Sequence, residues 1–436
     1  MSALALMLAA FARVPAENRQ SEATRMLAAA TRYSVSAFGP IGVSGAHLIA
    51  ALIFLHTLSR NAFGLFSFLL VVAPFGLSIC GAFFAPPIAR TAAAFDEAAE
   101  AVKFTLFKAS AVFSGAATLV IGALMAMSGA DAGLAAMFGL YGGVMSLRWF
   151  ARCWAYANGR TVRVLSSDLV YSGVLVAALA ALVALRQLTM SYAAATLLAS
   201  AVAGLLVFDL AHLRDHLRAL KAGRLRPFVQ IWHDMSGWAV MGVVLSEATV
   251  NAHSYLVTFI SGPHAFAVLA VGGLLMRPVS LVLAALPDME RPLMSRNIAA
   301  KDLSGAFRIV KEFQTAAGAI WFATIALAGV LLTWFPHLLL KNEYALGDVL
   351  AVVAISAAIM ALRAWRTPES VLLQAAGEFR KLAGASMWSS IVSLGATLVL
   401  LIAIGPIAAL AGVLLGEMVA TQRIFAIART WKQAHG

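Results

Sequence analysis

The sequence predicts an all-α, polytopic membrane protein of about twelve transmembrane helices, which divide into two halves of six. Of its 436 residues, 61% are hydrophobic and only 12% are charged, whereas soluble domains carry about 25% charged residues. Apolar segments of about 20 residues, the length needed to cross a bilayer, recur along the chain. The net charge of +12 is concentrated in short loops between these segments, which indicates membrane topology and excludes nucleic acid as the expected partner.

The twelve apolar segments define the predicted spans. They cover residues 35–58, 64–89, 105–128, 132–152, 167–186, 190–212, 236–260, 264–288, 313–335, 346–366, 383–404 and 406–428.

The distribution of Lys and Arg tests this count. All but four of the 32 basic residues fall on one side if the N-terminus is cytoplasmic. Arg60, Arg186 and Lys341 lie on the opposite side, and Arg277 lies within a span. Because a miscounted span would invert every later loop, this asymmetry supports twelve spans with both termini in the cytoplasm.

The longest polar connection divides the chain into two halves. We expect a cytoplasmic segment with an interfacial helix at 1–34, an N-lobe at 35–212, a cytoplasmic linker at 213–235, a C-lobe at 236–428 and a cytoplasmic tail at 429–436. Six spans per half allow the lobes to be parallel repeats about an axis along the membrane normal, as in some secondary transporters.

Polar residues in span 7 share one helical face. Glu247, Asn251, Ser254 and Thr258 follow spacings of four, three and four, whereas His253, six residues from Glu247, is predicted to point elsewhere. An ionisable side chain at the bilayer centre costs about 2.5–3.5 kcal/mol. The stripe therefore predicts a cavity wall at Glu247, while hydrogen bonding between helices remains the alternative for the hydroxyl residues.

Span 8 carries a second polar face. Arg277 and Ser280 lie three residues apart, and Asp288 follows eight later. Arg277 stays charged in proteins, so it is predicted to be a phosphate anchor or the ion partner of Glu247.

Further charged residues lie in spans 4, 10 and 12. Arg148 is a candidate cavity residue whose alternative is to snorkel, with Arg152, to the cytoplasmic surface. Arg363 is a cavity candidate within span 10, and Glu417 in span 12 either contributes to the cavity or pairs with an arginine of the cytoplasmic side.

Motifs of enzymes are missing from the sequence. It contains no Walker A, GxSxG, HExxH or CxxC pattern, and the outer loops are short and poor in acids. Cys80 and Cys153 are predicted to be packing residues. We therefore expect a protein without catalytic residues, cofactor or metal.

Three stretches resemble polysaccharide flippases of the multidrug/oligosaccharidyl-lipid/polysaccharide (MOP) superfamily, the Wzx-type O-antigen transporters. They are LSRNAFGLFSFLLVVAPFGLSI, GPHAFAVLAVGGLLMRPVSLVLAALPDMERPLMSR and LLQAAGEFRKLAGASMWSSIVSLGATLVLLIAIGPIAALAGVLLGEMV. The resemblance covers about residues 35–428 and lies in the pattern of spans and small residues.

This resemblance implies an arrangement, two six-helix bundles around a central cavity, and it also implies a function and a site. It implies a multi-pass protein of the bacterial inner membrane that flips a lipid-linked, polyprenyl-pyrophosphate oligosaccharide by alternating access for cell-surface polysaccharide synthesis. Cavity arginines would hold the pyrophosphate: Arg277 first, then Arg148 and Arg363, with Asn251 and Ser280 as polar contacts. Independently of the resemblance, the depth of Glu247 within span 7 and the position of Glu417 in span 12 make both acids candidates for coupling or ion pairing. The expected partners are the lipid-linked oligosaccharide and membrane lipids, and we expect a monomer, alone or with polysaccharide-assembly proteins.

Two other functions remain open. A small-molecule efflux antiporter of the related MATE group would use cavity acids such as Glu247 and Glu417, although Arg277 favours an anionic cargo. A membrane glycan polymerase or ligase would need a large outer loop with charged clusters, which this sequence lacks.

Overall fold

The computed structural model describes residues 39–40, 42–92, 97–336 and 344–435, and every regular element in these ranges is helical. The predicted interfacial helix at 1–34 lies outside the described residues. The helices of the first half are α1 (Gly42–Thr57), α2 (Arg60–Ala92), α3 (Glu97–Met127), α4 (Ala132–Ala157), α5 (Thr161–Ala184) and α6 (Met190–Leu206).

A pair of short helices forms the linker, and eight helices follow. The linker helices are α7 (Leu210–Ala222) and α8 (Arg226–Ile231), with a π-helical turn at Trp232–Ser236. The second half contains α9 (Gly237–Val250), α10 (Ala252–Ser261), α11 (Pro263–Leu275), α12 (Arg277–Ala299), α13 (Leu303–Trp334), α14 (Leu346–Ala375), α15 (Phe379–Ala403) and α16 (Pro406–His435).

The predicted fold class is confirmed: the described chain is all-helical, with two bundles. Within the described ranges, α2–α5 and α13–α16 are long and apolar enough to cross a membrane, and the bent pair α11 and α12 adds a ninth span. The shorter apolar helices α1 and α6 occupy predicted spans 1 and 6, and the broken pair α9 and α10 occupies span 7.

Predicted spans 7 and 8 are each divided into two helices, contrary to the expectation of continuous spans. The chain bends by 61° between α11 and α12. Pro278, near the start of α12, has no N–H to continue the hydrogen bonds of α11, and its ring would clash with a carbonyl of the preceding turn. In span 7, Asn251 leaves the helical conformation with φ −121°, and asparagine is a residue that favours helix ends over helix interiors. In span 2, by contrast, α2 continues through Pro74.

The buried apolar side chains show how the two lobes meet. The end of the molecule that carries Arg60 and His264 is called the Arg60 side, and the opposite end is called the α7 side. On the Arg60 side, one core contains residues of both lobes, among them Phe66 and Leu269. On the α7 side, the N-lobe has its own core around Phe107 and the C-lobe a separate one around Phe313. The lobes are therefore joined on the Arg60 side and have separate cores on the α7 side.

Candidate substrate cavity

A cavity of about 470 Å³ lies between the lobes near the middle of the helices. It is enclosed by α1, α2, α9–α12, α14 and α16, so both halves of the chain contribute to its wall. Its polar lining residues are Ser67, Ser78, Glu247, Asn251, His253, Ser254, Arg277, Ser280, Ser356 and Arg363. Five of the predicted site residues, namely Glu247, Asn251, Arg277, Ser280 and Arg363, are thus brought together.

Arg277 occupies a favourable position for binding an anion. The bend at Met276 makes it the first residue of α12, and both Arg277 and Ser280 line the cavity. The N-terminus of a helix carries partial positive charge. No ion pair to Arg277 is formed within the described residues. The guanidinium and the helix start together make this wall positive.

Glu247 is not the ion partner of Arg277, so the prediction of that pair is wrong for this conformation. Its Oε1 accepts a hydrogen bond from the Tyr255 hydroxyl at 3.1 Å, and its carboxylate also contacts the Asn251 side chain. The break at Asn251 changes the direction of the chain between α9 and α10, and the Tyr255 hydroxyl on α10 can therefore reach Glu247 on α9. The acid is therefore held by neutral donors, and it does not neutralise Arg277.

His253 also lines the cavity, although the helical spacing predicts that it points elsewhere. The prediction is wrong because the break at Asn251 changes the register between α9 and α10. The imidazole Nε2 lies 3.3 Å from the Ser254 hydroxyl. Thr258, the last residue of the predicted stripe, instead donates to the Ser254 carbonyl at 2.6 Å.

Arg363 reaches the cavity from an ion-pair cluster in the C-lobe. Its Nε donates to Glu417 Oε1 at 2.6 Å, and Arg366 donates through two nitrogens to Glu417 Oε2 at 3.0 and 2.7 Å. Glu417 is fully buried. Glu417 thus pairs with arginines, which is one of the two alternatives that the sequence left open. It orients Arg363 and does not line the cavity itself.

Arg148 does not line this cavity, which corrects its expected position. It is fully buried inside the N-lobe, and it also does not snorkel to the surface. Both Arg148 and Arg152 donate to Oδ1 of Asp168, a fully buried carboxylate on α5. Arg148 Nε donates to Ser167 at 3.0 Å, and its guanidinium lies over the Tyr171 ring at 4.8 Å. The donors of Arg148 are used to join α4 to α5.

Asp168→Asn is expected to destabilise the N-lobe strongly. The substitution leaves two buried guanidinium groups without their carboxylate, and breaking a buried pair in this way costs about 3–5 kcal/mol. The free energy of unfolding of the purified protein measures the loss. The control is Asp209→Asn, because Asp209 pairs with Arg163 and Arg160 at a half-exposed position, and pairs open to solvent contribute about 0–1 kcal/mol. Equal, small losses for both variants would contradict this account.

The Arg60 side closes the cavity through contacts between the lobes. Arg60 Nε donates to the His264 carbonyl at 3.0 Å, and the Arg60 guanidinium lies over the Tyr344 ring at 5.5 Å. One helical turn further, the backbone of α2 at Gly64 approaches Pro263 so closely that a Cβ at Gly64 would lie 1.9 Å from the Pro263 carbonyl oxygen. Glycine is required here because no side chain fits between the lobes.

Comparison with solved structures identifies related architecture. The inward-facing conformation of a multidrug resistance MATE family transporter of the MOP superfamily matches with a TM-score of 0.66 at 15% identity. The outward-facing conformation of such a transporter gives 0.58 at 15% identity. A MOP superfamily transporter from Pyrococcus furiosus Vc1 (DSM3638), described as having a binding pocket of reverse polarity that suggests a different function, gives 0.57 at 16% identity.

Each of these comparisons covers 93% of this chain and 95% of the other. No family model and no curated protein matches the sequence. The similarity extends over both lobes and over the helices that enclose the cavity. The chain therefore has the fold of MATE transporters of the MOP superfamily.

Proposed function

We propose that the protein is an alternating-access membrane transporter that flips a polyprenyl-pyrophosphate-linked oligosaccharide across the bacterial inner membrane, for the synthesis of a cell-surface polysaccharide. The observation that carries this proposal is Arg277, which lines the cavity at the start of α12 with no acidic partner among the described residues. A guanidinium binds phosphate through two parallel hydrogen bonds. Arg363 on α14 offers a second cationic contact, and Ser280 and Asn251 offer neutral ones.

The physical task explains why such a cavity is needed. A pyrophosphate and its sugars would lose their hydration in the hydrocarbon core, and burying an unpaired charge there is very costly. A polar cavity that opens first to one side and then to the other removes this barrier while the polyprenyl chain stays in lipid. The cavity has room for the diphosphate and adjoining sugar atoms, and the remainder would extend toward the α7 side, where the lobes have separate cores.

The test is a flipping assay with the full-length protein in liposomes. Three fluorescent cargoes are compared: a polyprenyl-pyrophosphate oligosaccharide, the same oligosaccharide on a neutral polyprenol, and a cationic dye. We expect transport of the first alone. Transport of the dye without the pyrophosphate lipid would contradict the proposal and favour small-molecule efflux.

Efflux of cations is supported by one observation, the presence of Glu247 in the cavity. The other predicted acid, Glu417, is neutralised by Arg363 and Arg366. The charged lining residues are thus two arginines and one glutamate, a balance that favours an anionic cargo. Of the similar structures, the one described with a pocket of reverse polarity is consistent with a cargo that differs from multidrug substrates.

Glu247 is the candidate for proton coupling within this proposal. It shares the cavity with Arg277, Arg363 and His253, and its hydrogen-bond donor is Tyr255. Glu247→Gln keeps the size of the side chain and one oxygen that can accept from Tyr255, but it cannot release a proton. We expect its initial flipping rate to lose the pH dependence that the unmodified protein shows.

The control for this prediction is Glu100→Gln, which replaces an exposed acid on α3. Its pH profile should equal that of the unmodified protein. If Glu247→Gln also retains that profile and transports at the normal rate, Glu247 has no part in coupling.

A further inference from the structure

We propose that the outward-facing surface of linker helix α7 binds the anionic lipid surface of the membrane on the α7 side. This surface consists of two adjacent stripes on α7 that the transport proposal does not use. The inference is independent of the cargo, because α7 contributes no residue to the cavity.

The first step is that one face of α7 is already occupied by the N-lobe. His216 and Ala219 are buried against α3, and the His216 ring lies 3.1 Å from the Ser110 hydroxyl. Lys103 on α3 pairs with Asp215 at 2.7 Å. These contacts fix the rotation of α7 about its axis and therefore determine which residues face outward.

The packed face is also electrically neutral, apart from the paired Lys103 and Asp215. His212 lies 5.0 Å from the Phe107 ring and 4.8 Å from the His216 ring. Burial, with a smaller contribution from His216, lowers the pKa of His212 to about 3, so its imidazole is uncharged at neutral pH. The unpaired positive charge of α7 is consequently on the outward surface.

The second step is the composition of that outward surface. Leu213, Leu217 and Leu220 form one stripe and are 47–57% exposed. Their spacing of four and three places them on one helical face. The next face carries three exposed basic residues: Arg214, Arg218 and Lys221. Two further exposed arginines, Arg224 and Arg226, continue the positive charge beyond the helix.

The third step is the kind of partner that such a surface fits. A helix with adjacent leucine and basic stripes lies in a membrane interface, with the leucines at the acyl boundary and the cations among the headgroups. Clusters of four to eight Lys and Arg residues on such helices bind anionic lipid. The α7 side is the side that the basic residues of the sequence mark as cytoplasmic, and α7 begins at Leu210, shortly after α6 ends at Leu206. Charge complementarity and position both indicate an anionic bilayer surface as the occupant.

The test is hydrogen exchange of residues 210–226 in the full-length protein, reconstituted in nanodiscs of phosphatidylcholine alone or with about 30% phosphatidylglycerol. Each basic residue near an anionic surface contributes roughly fivefold in affinity. We therefore expect exchange of this segment to slow by roughly tenfold or more in the anionic nanodiscs, and the difference to diminish at high salt because of screening.

Two triple variants locate the effect. Arg214→Gln with Arg218→Gln and Lys221→Gln should abolish the difference between the two lipid compositions. The matched control removes the same charge from three exposed basic residues elsewhere on the α7 side: Arg308→Gln, Lys311→Gln and Arg429→Gln. This control should preserve the difference. Unchanged thermal unfolding of both variants confirms that they are folded.

Three outcomes would overturn the proposal. One is equal exchange of 210–226 in both lipid compositions. Another is loss of the lipid effect in the control variant, which would attribute the effect to net charge. The third is a difference between the two compositions that persists undiminished at high salt, which would mean that electrostatic attraction to anionic lipid does not cause it.

Discussion

Arg277→Gln is expected to reduce transport of the pyrophosphate-linked cargo by about 10- to 150-fold in kcat/KM. A hydrogen bond to a charged group contributes about 1.5–3 kcal/mol, and Arg277 is the cavity cation that no described carboxylate neutralises. The measurement is the initial flipping rate in liposomes at several cargo concentrations. The loss should be larger for the pyrophosphate lipid than for the other cargoes of the assay, because the substitution leaves the other residues that line the cavity unchanged.

Two further variants make this result specific. Arg277→Lys should retain part of the activity, since the ammonium keeps the charge but loses the planar, two-pronged hydrogen bonding of arginine. Arg296→Gln, at an exposed position on the same helix, should transport normally. If Arg277→Gln flips the cargo at the unmodified rate, the pyrophosphate does not bind at the start of α12.

Gly64→Ala is expected to open the Arg60 side and to stop the transport cycle. The added Cβ would lie 1.9 Å from the Pro263 carbonyl oxygen, an overlap that only separation of α2 from α11 can relieve. Overpacking of this kind costs about 1–3 kcal/mol, which corresponds to a population shift of about 5- to 150-fold. The protein should therefore populate the conformation that is closed on the α7 side.

Labelling of a cysteine at Ser67, which lines the cavity, measures this shift. In a background with Cys80 and Cys153 replaced, a membrane-impermeant maleimide added on the Arg60 side should label the Gly64→Ala protein several-fold faster. Gly115→Ala is the matched control, because a Cβ there meets no atom within 4 Å. Unchanged labelling in Gly64→Ala would show that the close approach at Pro263 does not hold the lobes together.

The sequence predicts the broad architecture well, because span length and loop charge act over whole segments. Within the described ranges, all twelve predicted segments coincide with helices or broken helix pairs. The prediction fails where a single residue changes the helix geometry. Asn251 interrupts span 7, which brings His253 to the cavity and Tyr255 to Glu247, and neither follows from a continuous helical face.

The spacing of residues along one helix likewise cannot predict which charged residues on different spans form ion pairs. The sequence places Arg148 among the cavity candidates, but Asp168 on α5 holds it and Arg152 inside the N-lobe. The sequence does contain one indication of this pairing. Asp168 is a single acid in an otherwise apolar span, and that span follows Arg148 and Arg152, which lie four residues apart. Counting charges that must neutralise each other between neighbouring spans would have favoured this pair. Arg277 and Arg363, by contrast, line the cavity between the lobes, as the sequence predicts.

The central claim is that the cavity between the lobes binds a diphosphate through Arg277. Its most direct test is the binding of farnesyl diphosphate, a short water-soluble polyprenyl diphosphate, to the purified full-length protein by isothermal titration calorimetry. We expect saturable binding at one site, weakened by about 10-fold or more in Arg277→Gln and unchanged in Arg296→Gln. Equal affinity of all three proteins, or no binding to the unmodified protein, would contradict the claim.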